Sequence, residues 1–81
     1  MKHLGLLQKG ETAVISGILH NCPAEIRQRL LDLGFVKGTR VRIENISPLK
    51  DPVAYRIHHT QISLRREDAS YIEIEINENE E

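Results

Sequence analysis

The chain has 81 residues, 40% of them hydrophobic, with one cysteine, no tryptophan and a formal net charge of -1. That length supports one small domain with a single modest core. The lone Cys22 excludes an internal disulfide, and no stretch approaches the ~20 apolar residues of a membrane-spanning helix.

A cysteine left unpaired makes a reducing cytoplasm the expected compartment, and residues 1–9 are too poor in apolar content for a secretory signal. The near-neutral balance hides an asymmetry. Residues 1–65 carry ten Lys/Arg and five Asp/Glu, a net +5, whereas residues 66–81 carry one Arg and seven acids, a net -6. The domain is expected to span 1–76, with 77–81 (Asn-Glu-Asn-Glu-Glu) a solvated, frayed acidic tail.

In chain order, Leu4, Leu6 and Leu7 precede a turn at Lys9-Gly10, which leads into a first strand near residues 12–18. Ala13 and Ile15 share one face of it, and Gly17 breaks the alternation, predicting a bulge. After the connection His20-Asn-Cys-Pro23, Pro23 suits the first position of a helix and Glu25 its positive dipole end. Ile26, Leu30 and Leu33 fall at i, i+4 and i+7, one apolar face of a helix of about three turns, with Arg27, Gln28, Arg29 and Asp32 mostly opposite. Gly34 stands where a left-handed C′ glycine stops a helix, and Phe35 is placed to fold back on its last turn. Gly38 makes a second turn. A second strand follows, with Val41, Ile43 and then Ile46 inward and Arg40, Arg42 and Glu44 outward.

Pro48 and Pro52 bracket a loop, since neither suits a central strand. Val53, Tyr55 and Ile57 share one face of a third strand; His58-His-Thr60 reads as a hairpin turn; Ile62 and Leu64 mark a short fourth strand. Residues 65–70 are long enough for one helical turn, and residues 71–76 form a last strand with Ile72, Ile74 and Ile76 on one side. Five short strands, one helix and one helical turn make a mainly β, small, partly open barrel.

The chemistry-bearing residues point away from catalysis. The five glycines match no phosphate-binding loop, the serines sit in no nucleophile motif, and a barrel this small has little room for a substrate pocket. A zinc site wants four converging ligands. His20 and Cys22 make only a pair, and adjacent His58 and His59 would point to opposite faces of a strand. A metal at His20, Cys22 or His58 would therefore need ligands from a second chain, so no cofactor is expected within one subunit. Only Phe35, Tyr55 and Tyr71 are aromatic, too few for a proline-peptide groove or a nucleic-acid stacking platform. A protein partner remains. The arginines Arg27, Arg29, Arg40, Arg42, Arg56, Arg65 and Arg66 either form a basic surface for an acidic partner or an anionic lipid, or are scattered solvent-facing positions. Combining exposure with charge or a spare apolar tip selects Arg27, Arg29, Leu49, Lys50, Arg65 and Arg66 as contact residues.

Several motifs, in order, carry a resemblance. Lys9-Gly10-Glu11, the run Arg29-Leu-Leu-Asp-Leu-Gly34 with Gly38-Thr39-x-Val41, Pro48-Leu-x-Asp-Pro52, and Ile62-Ser-Leu-Arg65 followed by Ala69 and Ile72 cover nearly the whole chain. This pattern resembles the FeoA family, small cytoplasmic SH3-like proteins associated with bacterial ferrous iron uptake. The resemblance implies an SH3-like fold and a stand-alone, non-catalytic accessory protein, without the DNA-binding domain that precedes a related module in iron-dependent repressors. It implies docking on the cytoplasmic GTP-binding part of the membrane transporter FeoB, hence a place in the cytoplasm beside the inner membrane, with no insertion of its own and no nucleic acid. Homo-oligomers and a metal-responsive, dimerising SH3-like module stay open. The matching positions Gly10, Leu30, Leu33, Gly34, Phe35, Gly38, Pro48, Asp51 and Pro52 are structural in character. One departure is His59, where relatives commonly have Gly; His tolerates positive φ better than most residues.

Overall fold

The computed structural model describes residues 2–75. Its elements are β1 (Lys2–His3), a 3₁₀ turn (Leu4–Leu6), β2 (Thr12–Ile18), α1 (Ala24–Leu33), β3 (Arg40–Ile46), β4 (Val53–Ile57), β5 (Thr60–Leu64), α2 (Arg66–Ala69) and β6 (Ile72–Glu75). The strands form one open antiparallel sheet in the order β1-β6-β2-β3-β4-β5. This is the mainly β architecture that the alternation predicts, with six strands rather than five. The additional strand, β1, has only two residues, too few to show a period; Lys2 pairs with Ile74 and His3 with Glu73. Expectations for Ile76 and the 77–81 tail lie outside the described residues.

Glycine and bulge positions bend the strands around the core. The register of β2 against β6 slips between Ile15 and Gly17, at the predicted bulge. A second slip, between Ile43 and Asn45, occurs in β3 against β4. It explains how Ile46 returns to the inner face three positions after Ile43: the extra residue resets the two-residue period, and Ile46 comes to lie opposite buried Val53. Leu4, Ile15, Leu30, Phe35, Val41, Ile43, Val53, Tyr55, Ile57 and Ile72 are almost fully enclosed. Phe35 and Tyr55 meet edge to face with centroids 6.4 Å apart.

Helix α1 starts one residue later than the sequence suggests. Pro23 is the N-cap (φ -55°, ψ 143°), and its carbonyl accepts the first helical bond from Arg27 N at 2.9 Å. The C-terminus ends as expected. Gly34 takes φ 108°, its N–H donates to Leu31 O and the Phe35 N–H donates to Leu30 O, both at 3.0 Å. Those two bonds are the Schellman pair, and they aim Phe35 into the core. The apolar face is narrower than predicted, however. Leu30 is buried and Ile26 half-buried, but Leu33 is 38% exposed. The helix lies at the rim of the sheet, so its last turn reaches past the core.

Candidate functional site

The rim beside α1 is where most of the unspent chemistry gathers. Among the described residues strand β5 ends the sheet, pairing only with β4. Its hairpin closes at Ile57–Thr60 through His58 (φ 51°) and His59 (φ 69°), a two-residue turn with both central residues left-handed. From that closing pair the ladder bonds alternate, so the N–H and C=O groups of Gln61 and Ser63 face the open edge. Between this edge and α1 lies a cleft of about 470 Å³ lined by Arg29, Leu33, Ile62, Ser63, Arg65 and Asp68, among others. Arg29 Nη2 meets Asp68 Oδ2 at 2.6 Å, joining α1 to α2 across the cleft. The Asp68 side chain is 11% exposed and the Arg29 side chain 56%. Apolar floor, charged walls and an unpaired strand edge together suit the docking of a polypeptide.

The loop between β3 and β4 flanks this region. Lys50 (φ 69°) donates its N–H to Ser47 O at 2.7 Å, Asp51 N–H donates to Ser47 Oγ at 2.9 Å, and the Asp51–Pro52 bond is cis. Asp51 Oδ1 accepts the Arg66 N–H at 2.9 Å, which sets the loop against the start of α2. The Arg66 side chain then donates to Lys50 O through Nε and to Gly5 O at 3.0 Å through Nη1. Pro48, Asp51 and Pro52 thus shape a loop that presents Leu49 at 87% exposure.

The six expected contact residues divide accordingly. Leu49, Lys50 and Arg65 are exposed, and the loop–α2 bond brings them to one side of the molecule. Arg29 is partly exposed but engaged with Asp68. Arg66 is half-buried as a staple, and Arg27 Nη2 donates to Leu19 O at 2.8 Å on the other half of α1. Asp68, Leu33 and Ile62 were not anticipated in this role. No local signal in the sequence marks Asp68, because the partner that gives it this role lies 39 residues away.

A second concavity, about 680 Å³, occupies the outer face around Lys37, Arg40, Arg42, Arg56 and His58. The arginines named by the sequence therefore separate into two groups, with Arg40, Arg42 and Arg56 on the sheet and the rest near the helices.

The metal candidates do not meet. A Cβ at Gly34 would lie 3.8 Å from His58 Cδ2, so His58 sits at the C-terminal end of α1, whereas His20 and Cys22 precede its start. The ten-residue helix separates them by about 15 Å. Among the described residues no three His, Cys, Asp or Glu side chains are grouped to hold a metal. Cys22 is buried, donates to Pro23 O at 3.5 Å, and burial pushes its thiol pKa up, so the thiolate a metal needs is disfavoured. No helix among the described residues is long and apolar enough to cross a membrane.

Known proteins share this framework. The FeoA domain profile matches residues 2–76. A Porphyromonas gingivalis Fe(2+) transport protein A/Fe(2+) transporter FeoB fusion protein is 42% identical over 73 residues, 90% of this chain. The chain spans only 8% of that relative's length. A solution structure of the FeoA protein from Chlorobium tepidum superposes with a TM-score of 0.87 at 28% identity, covering 99% of this chain and 74% of that one. The crystal structure of Stenotrophomonas maltophilia FeoA complexed with zinc, described as a procaryotic SH3 domain protein, gives 0.82 at 27% identity, covering 93% and 91%. The overall fold is accordingly that of a known kind of domain: the chain belongs to the FeoA family, which is associated with ferrous iron transport.

Proposed function

We propose that this protein is a non-catalytic accessory of ferrous iron uptake that docks on the cytoplasmic GTP-binding part of a FeoB-type transporter. The observation that carries this reading is the fusion protein, in which a FeoA-like segment 42% identical to this chain is covalently joined to FeoB. Joining two modules makes their encounter intramolecular, with an effective concentration in the ~mM range for a short linker, which favours parts that act together. The cleft beside β5 is the docking surface: Leu33 and Ile62 supply apolar contact, Arg65 an exposed cation, and the β5 edge unpaired backbone groups. Leu49 and Lys50 extend the same side.

The test is a binding titration against the isolated cytoplasmic domain of the cognate FeoB, with GTP analogue, with GDP and without nucleotide. Saturable binding that drops at least about ten-fold in Arg65→Glu and in Leu33→Asp supports the reading, as expected for one disrupted contact near the centre of a small interface. Undiminished binding by both variants would refute the assigned surface, and no binding in any nucleotide state would refute the partner.

The zinc in the S. maltophilia relative motivates a second reading, a transition-metal-responsive module that dimerises when a metal bridges His20, Cys22 or His58 between chains. His58 lies at the far end of α1 from His20 and Cys22, so a metal that joins His58 to either of them would bridge two chains. A zinc-dependent dimer that disappears in Cys22→Ala would favour it, and an unchanged monomer mass over the titration would dispose of it.

A further inference from the structure

The two ends of the sheet differ in how they are guarded. An unpaired edge offers backbone N–H and C=O groups to any other strand, and folded proteins blunt it by shortness, charge, proline or a bulge. At one end β1 has two residues, one of them the exposed Lys2. At the other end β5 runs for five residues, Thr60–Leu64, with no charged residue, no proline and no slip in its register against β4. The N–H and C=O groups of Gln61 and Ser63 point outward there, about 7 Å apart, the repeat of alternate residues in any extended chain. Beside them the half-buried Ile62 and the partly exposed Leu33 form an apolar floor. Just past the strand, Arg65 is exposed and has no ion-pair partner among the described residues. Asp68, the one acid lining the cleft, is already engaged by Arg29.

We propose that the β5 edge takes up an extended segment of the FeoB-type partner as an added strand. The inference rests on the transporter reading and states how its docking surface is used. Main-chain bonds to Gln61 and Ser63 hold the segment, and its alternate side chains give selectivity. Those on the helix side meet Leu33 and Ile62 and are apolar. Two arginines against one aspartate leave the cleft net positive, which calls for an acid where the segment passes Arg65. A second copy of this chain fits poorly. Antiparallel β5–β5 pairing runs through a two-fold axis perpendicular to the sheet, which leaves both inner faces on one side. Each copy would then bring its own α1, which flanks the cleft, into the gap the other needs, and two net positive clefts would face each other.

The experiment follows amide hydrogen exchange of the full ¹⁵N-labelled chain, alone and saturated with the cytoplasmic domain of the cognate FeoB. In the free chain Ile62 and Leu64, whose N–H groups face β4, should exchange slowly, and Gln61 and Ser63 fast. Binding should slow Gln61 and Ser63 by at least about ten-fold. Ser63→Pro removes one outward N–H at an edge position that tolerates proline. It should weaken binding at least about ten-fold with Ile62 and Leu64 still protected, whereas Ser63→Ala, which keeps that N–H, should stay within about two-fold of the parent. Binding with Gln61 and Ser63 still exchanging fast, or Ser63→Pro as tight as Ser63→Ala, overturns strand addition and leaves the transporter reading standing. Should Ser63→Pro not fold, the exchange pattern of the parent chain decides alone. Absence of binding in every nucleotide state defeats the transporter reading and this inference with it. Gln61 and Ser63 already protected in the free chain would assign the edge to another occupant and overturn the proposal. That occupant is a second copy if the protection fades on dilution, and the chain's own acidic tail if it does not.

Discussion

Replacing Gly34 tests the joint between α1 and β3 directly. Its φ of 108° lies well beyond the left-handed basin near 57° that L-residues can enter. A Cβ there would stand 3.7 Å from Ile57 Cγ2 and 3.8 Å from His58 Cδ2, which is ordinary contact. The penalty of Gly34→Ala is therefore conformational and not steric. A left-handed backbone costs a residue bearing Cβ roughly 1–2 kcal/mol, and the loss of glycine's unfolded-state freedom returns roughly 0.4–1 kcal/mol. The expected net destabilisation is about 1 kcal/mol for Ala. Asn, which tolerates positive φ, should cost less than Ala, and β-branched Val more, about 2–3 kcal/mol. For a domain of this size each kcal/mol lowers Tm by roughly 4–8 °C. Urea unfolding followed by far-UV circular dichroism reads the order Asn, Ala, Val as successively lower midpoints at constant m-value. A Val variant as stable as the parent, or Asn no better than Ala, would refute the argument that Gly34 is required for its backbone.

Three further outcomes follow from single residues. His59→Gly relieves a left-handed non-glycine residue in the β4–β5 turn and should stabilise the fold by up to about 1 kcal/mol, seen as a higher urea midpoint. Arg66→Ala removes the side-chain bonds to Lys50 O and Gly5 O and should cost about 1–3 kcal/mol, with faster proteolytic cleavage at the 47–52 loop than in Lys50→Ala. The Tyr55 hydroxyl is buried with no hydrogen-bond partner among the described residues, and burial raises its pKa to about 12. Because the folded pKa exceeds the unfolded value near 10, its contribution is intact below pH 10 and is lost as pH rises from about 10 to 12. Tyr55→Phe should be neutral or stabilising at pH 7 and should flatten that alkaline decline, measured as urea midpoints between pH 8 and 11.5.

Features carried by a few adjacent residues are legible in the sequence. The Gly34 stop, the Phe35 fold-back, the bulge at Gly17, the His58–His59 turn and the buried trio Val53, Tyr55 and Ile57 all follow from local conformational preference or a two-residue period. Features that a longer-range partner decides are not legible there. Strand β1 exists because β6 offers an edge to two residues. Leu33 belongs to the helix's apolar face by spacing but is left partly exposed where α1 overhangs the sheet. Arg27 and Arg66 look like free surface cations in the sequence, yet Arg27 donates to the Leu19 carbonyl before its helix and Arg66 to the Gly5 carbonyl 61 residues away.

By itself the sequence determined the mainly β class, the position of the single long helix, its glycine stop and the ordered motifs that mark the family, because each depends on neighbours within a turn or a hairpin. Tertiary structure alone decided which charges remain available and where they converge. Asp68 neutralises Arg29 across 39 residues, and strand register places Arg42 against Arg56. The physical reason is that surface chemistry is a sum over segments brought together by packing, and no periodicity along the chain encodes which segments those will be.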